Sequence, residues 1–123
     1  MPAPHLAKGA TAERRVRQWL EAQGLIFLRA NFRCKTGEID LIMLDRDCLV
    51  IVEVRYRRST GYGGALASVS HTKRQKIIRA TRYFLRCNPK LGHRPLRFDV
   101  VAVSGPVDQM KFDWRQRAFD CSA

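Results

Sequence analysis

Gly37-Glu38-Ile39-Asp40-Leu41-Ile42-Met43-Leu44-Asp45-Arg46-Asp47-Cys48-Leu49-Val50-Ile51-Val52-Glu53-Val54-Arg55-Tyr56-Arg57-Arg58 sets two β-branched, apolar runs on either side of a polar centre. That pattern predicts an antiparallel hairpin turning at Arg46-Asp47. Side chains alternate faces along a strand, so Glu38, Asp40, Ile42 and Leu44 share one face of the first arm. Leu49, Ile51, Glu53 and Arg55 share one face of the second. A two-residue turn puts Asp40 opposite Glu53 and Glu38 opposite Arg55. Opposed residues have Cβ atoms roughly 4.5–5.5 Å apart. Two carboxylates that close repel unless one is protonated or a cation lies between them. Hard oxygen ligands of this kind suit Mg²⁺ or Mn²⁺. Two readings stand at this point: a shared cation between Asp40 and Glu53, or a solvent-facing strand on which Glu38 and Arg55 form an ordinary ion pair.

Outward from the hairpin, Leu25 to Ala30 reads as a short strand joined to it by a polar link over residues 31–36. Thr11 to Gln23 reads as a helix, N-capped by Thr11 and closed by Gly24. Its apolar stripe is Ala12, Val16, Trp19 and Leu20, and Glu13 lies on that same side. Beyond the hairpin, residues 59–64 with their Gly-rich composition read as a loop, either a plain connector or a substrate cover carrying a tyrosine. A second helix is expected from Ser70 or Thr72 to about Arg86, stopped by Asn88-Pro89. Ile77, Ile78, Thr81, Phe84 and Leu85 form its buried side, and Lys73, Arg74, Lys76, Arg79, Arg82 and Arg86 the remainder. The segment holds no acidic residue to neutralise these cations, which favours contact with phosphate. Phe98 to Val103 is continuously apolar, as strands inside a sheet are. A strand, a helix and a strand from Val50 to Val103 suggest a right-handed parallel crossover. The stretch from Lys111 to Arg117 reads as an edge strand or a loosely held tail.

The chain has 123 residues, 46% of them hydrophobic, enough for one domain with a real core. Residues 1–8 and 110–123 are expected to be the least tied down. A net charge of +12 and a pI near 10.5 call for an acidic partner, nucleic acid first. No apolar run is long enough to span a bilayer, and the first residues lack the apolar core of a signal peptide, so a cytoplasmic protein is expected. Cys34, Cys48, Cys87 and Cys121 are scattered with no C-x-x-C pair, which offers neither a zinc site nor a disulfide framework.

Asp40, twelve intervening residues and then Glu53-Val54-Arg55 resemble the D-x(n)-(D/E)-x-K motif of the restriction-endonuclease-like nuclease superfamily. More closely, Gly37-Glu38-Ile39-Asp40-Leu41-Ile42, Val52-Glu53-Val54 and Arg97-Phe98-Asp99-Val100-Val101 resemble the YraN family of small bacterial proteins. Glu13 matches a first-helix Glu of that family, and Asn31-Phe32-Arg33 its Asn-Phe-Arg. The likeness runs from about Gly9 to Val103. One position departs from it, since Arg55 stands where the family has Lys.

The resemblance implies an α/β, restriction-endonuclease-like three-layer core, a mixed sheet with a central hairpin flanked by helices. It also implies a Mg²⁺- or Mn²⁺-dependent endonuclease hydrolysing phosphodiesters in DNA, branched or repair intermediates among them. Glu13, Asp40, Glu53 and Arg55 would be catalytic, with the metal on Asp40 and Glu53. Glu38 would complete or orient the shell of that metal, Gln75 would touch the scissile phosphate or water, and Asp99 is either a supporting group at the site or a structural carboxylate at the start of its strand. Arg57, Arg58, Lys73, Arg74, Lys76, Arg79 and Arg82 would bind nucleic acid. Enzymes that cut junctions usually work as twofold homodimers. The alternative is a nucleic-acid-binding protein that kept the fold without turnover, because Arg is permanently charged and a poor proton acceptor.

Overall fold

A computed structural model describes residues 4–57 and 69–121. The loop expected over residues 59–64 and the candidate Arg58 lie outside the described residues, as does the side chain of Arg57.

The order is α1 (Pro4–Ala22), β1 (Ile26–Cys34), β2 (Gly37–Asp45), β3 (Cys48–Arg57), α2 (His71–Cys87), β4 (Leu96–Ser104) and β5 (Lys111–Phe119). The five strands form one sheet in sequence order. β1 to β3 form an antiparallel meander, β3 and β4 pair in parallel, and β5 returns antiparallel. Alternate side chains bury on opposite faces. On one face Ile42, Ile51, Phe98 and Val100 pack under Ile77, Ile78 and Phe84 of α2. On the other, Leu41, Met43, Val50, Val52 and Val101 pack under Ala12, Val16 and Leu20 of α1. The result is the expected three-layer α/β core around a mixed sheet. Each of these fully buried side chains contributes roughly 1.5–3 kcal/mol relative to exposure.

The β2–β3 register is the expected one, from Asp45 opposite Cys48 to Leu41 opposite Val52. Arg46 adopts φ 58° in the turn, as a tight two-residue hairpin requires. Ser70 caps α2, its Oγ accepting from the Lys73 N–H at 3.2 Å. Gly24, at φ 103°, closes α1 as expected.

Two expectations are corrected. Helix α1 begins at Pro4, two turns before Thr11. A proline at the first helical position loses no hydrogen bond, and the alanines and lysine that follow are good helix formers, so Thr11 is interior. Strand β1 runs on to Cys34 through the segment read as a link, and turns into β2 at Lys35-Thr36. Asn31 adopts φ 54° within this strand without breaking the register, whose shift lies earlier, between Phe27 and Arg29. Of the two readings of the segment from Lys111, an edge strand or a loosely held tail, the paired edge strand is the one found. Phe119 stacks on Phe98 with ring centroids 4.9 Å apart, and Trp114 Nε1 donates to Asp99 at 2.9 Å. Among the described residues no helix is long and apolar enough to cross a membrane.

Candidate functional site

Beyond Leu41–Val52 the hairpin ladder gives way to a side-chain bond, in which the Val54 N–H donates to Asp40 Oδ2 at 2.8 Å. Asp40 thus holds the first residues past the ladder and lies beside Glu53. Both are buried, at 9% and 4% exposure, in a protein where carboxylates should seek water. Burial raises the Asp40 pKa above the ordinary carboxylate value, opposed by the Val54 N–H and by Lys73. Burial, with the Asp40 charge adding to it, pushes Glu53 up to about 8 even against Lys73.

Helix α1 brings in a third carboxylate. Glu13, half-buried one residue past Ala12, is pushed up to about 7 by burial and by Asp40, while a hydrogen bond from Asn31 works the other way. Helix α2 brings in the cation from the opposite layer. Lys73 Nζ lies 3.0 Å from Glu53 Oε1. Arg55 Nη1 lies 3.6 Å from that same oxygen. Glu38, exposed, pairs with Arg33 Nε at 3.2 Å, its direct neighbour on β1. A reading of the hairpin alone supplies no such neighbour.

Glu13, Asp40, Glu53 and Arg55 therefore meet where α1, β2 and β3 come together, with Glu38 at the rim. Gln75 is half-buried two residues beyond Lys73. Asp99 belongs to a different network. Fully buried, it accepts from Arg97 Nε at 3.1 Å, Trp114 Nε1 at 2.9 Å and the Arg117 N–H at 3.0 Å, while Arg97 Nη1 reaches Asp45 at 2.8 Å. These bonds tie β5 to β4, and no described contact joins Asp99 to Asp40, Glu53 or Glu13. Arg74 also has a packing role, donating to the Val69 carbonyl at 2.9 Å and lying over the Phe119 ring. Lys76, Arg79 and Arg82 are exposed on the outer side of α2.

Three residues join the site that strand alternation did not point to: Asn31 beneath Glu13, Arg33 on Glu38, and Lys73 on Glu53 instead of in the outward basic face. Asn31 and Arg33 had a sequence signal in the Asn-Phe-Arg stretch. The Lys73 contact joins residues twenty positions apart across a crossover, and no local pattern reports it.

Asp40 and Glu53 supply two crowded oxygen-bearing groups, but no group of three or more His, Cys, Asp or Glu among the described residues is placed to hold a metal ion. Mg²⁺ ordinarily accepts such a partial set, keeping water and substrate phosphate as its other ligands.

A family model described as "Uncharacterised protein family UPF0102" matches residues 12–103. The UPF0102 protein of Pseudomonas fluorescens (strain Pf0-1) is 50% identical over 116 residues, covering 94% of this chain and 95% of its own. That of Alcanivorax borkumensis is 46% identical over 112 residues, 90% of each chain. A third, from Pseudomonas putida (strain GB-1), is 44% identical over 123 residues, 98% of this chain and 100% of its own. With most of its length matched in this way, and with the motifs that resembled YraN lying inside the matched segment, the chain belongs to the uncharacterised family UPF0102.

Proposed function

We propose that this protein is a metal-dependent nuclease that hydrolyses phosphodiester bonds in DNA. The observation that carries the reading is the meeting of Asp40, Glu53 and Glu13 from three elements, with Lys73 supplied from the opposite layer. In a chain of net charge +12, buried carboxylates gathered beside a phosphate path only weaken plain binding.

Asp40 and Glu53 would hold Mg²⁺ or Mn²⁺. When bound, such an ion polarises the phosphate and acidifies a water. Glu13 stands beside that pair. It would complete or orient the shell around the ion. Arg55 offers a planar fork matched to two phosphate oxygens. Lys73 contributes the compact ammonium that the D-x(n)-(D/E)-x-K pattern would place at position 55, and stabilises charge developing on the phosphate. Arg55 in the Lys place favours the second reading, a binder without turnover; Lys73 3.0 Å from Glu53 supports the first.

The test is cleavage of a panel of single-stranded, duplex and branched DNA with Mg²⁺ or Mn²⁺. Asp40→Asn should abolish both cleavage and Mn²⁺ binding measured by calorimetry. Lys73→Met should cut turnover by at least tenfold, equivalent to about 1.4 kcal/mol of barrier, and more than Arg55→Lys does. A wild type that cuts no DNA form while still binding DNA would establish the non-catalytic reading instead.

A further inference from the structure

Two hollows flank the β1–β2 turn. One, of about 530 Å³, lies between that turn and the start of α2 and includes Lys35, Glu38, Lys73 and Lys76 in its lining. The other, of about 540 Å³, is lined by the same turn and by Tyr83. Both are lined by Arg33, Cys34, Lys35 and Thr36, so the turn is their common wall, and the two are taken together as one track. At one end the track touches the carboxylate site through Lys73 and Glu38. At the other it reaches an aromatic ring.

That ring is unusual. Among the described residues the large apolar side chains left exposed are Ile26, Leu28, Tyr83 and Val107, and Tyr83, at 47%, is the aromatic one. Its ring stands 6.1 Å from that of buried Phe32, so it is backed on one side and open on the other. Lys76, Arg79, Tyr83 and Arg86 are all exposed on α2 at spacings of three and four, which puts them in one row along the helix. A row of cations with an aromatic set among them is the arrangement that follows a nucleic-acid backbone while stacking a base. The turn itself is held against α2. A Cβ on Gly37 would stand 2.9 Å from the Lys76 carbonyl oxygen, so only glycine lets the two backbones approach this closely.

We infer that this track binds an unpaired nucleic-acid strand, whose phosphates pass Lys35 and Lys76 and one of whose bases stacks on Tyr83. Inside a duplex each base face is covered by its neighbours, so an open ring on the protein gains nothing from it. A strand that has left its partner exposes the face that Tyr83 lacks. The inference deepens the nuclease reading by naming the substrate's local form, and it rests on that reading only for the claim that the bound strand is the one cut.

The experiment separates the two by measuring binding without divalent metal. Fluorescence anisotropy of labelled oligothymidylate is read against a duplex of equal length, in EDTA. Tyr83→Ala should weaken oligothymidylate binding about tenfold and leave duplex binding unchanged, with Tyr83→Trp restoring the wild-type value. Lys35→Glu with Lys76→Glu should cost far more affinity than Lys111→Glu with Arg115→Glu on the β5 edge. Unchanged oligothymidylate binding in Tyr83→Ala, or equal losses on both ligands, would overturn the track whatever the outcome of the cleavage assay. Tyr83-dependent binding by a protein that never cuts would keep the track and reject the nuclease.

Discussion

Asp40 and Glu53 were legible as a pair because strand periodicity is two and the turn at Arg46-Asp47 leaves one sensible register. Their burial was not legible, because it depends on α1 and α2 closing over the end of the hairpin. Burial has a thermodynamic sign. Glu53 has a pKa of about 8 in the folded protein against an ordinary 4.5, so the folded state holds its proton more tightly than the unfolded chain. Below the ordinary value both states are protonated and nothing is lost. As pH rises from about 4.5 to 8 the folded state is progressively disfavoured. Metal-free protein in EDTA should therefore lose melting temperature over that range. Glu53→Gln should melt higher than wild type at pH 8 and close to it at pH 5, by about 4 °C for each kcal/mol relieved. A variant less stable at pH 8 would mean that the Lys73 ion pair outweighs the burial of the charge.

At the scale of elements, the hairpin, the basic helix and the apolar β4 could all be read from local pattern, and the Ser70 cap from a single residue type. Helix α1 was read too short because a capping residue and a glycine within two positions imitate a start signal. Strand β1 was read too short because an edge strand pairs through backbone groups that its polar side chains do not announce. The contact between the β1–β2 turn and α2 had no local signature either. It depends on Gly37, whose missing side chain makes room for the Lys76 backbone. Gly37→Ala should destabilise the fold by about 1–3 kcal/mol, the usual range for forcing a methyl group into filled space, measured by urea unfolding. It should also weaken oligothymidylate binding, since the same contact shapes the track. Wild-type stability in Gly37→Ala would show that the turn can move away at no cost.

For the whole molecule, composition pointed to an anionic partner before any element was placed. Three of the 11 acidic residues gather at one site within a chain carrying 23 Lys and Arg. Contacts to about five phosphates would make log affinity for duplex DNA fall against log salt with a slope of about −4 to −5. A slope near zero in a titration of affinity against salt would reject phosphate contact as the source of binding. The sheet's order has a further effect on how the protein is made. The first three strands pair with near neighbours in the chain, whereas β4 must find β3 across some fifty residues, and such distant pairings form late. During synthesis the carboxylates of β2 and β3 emerge before Lys73 and before the strand that walls them in. Until then they remain hydrated and carry no penalty. The electrostatic cost of the site therefore falls on the closing steps of folding, when α2 and β4 dock, and those steps mark where the nascent chain is most exposed to a misstep.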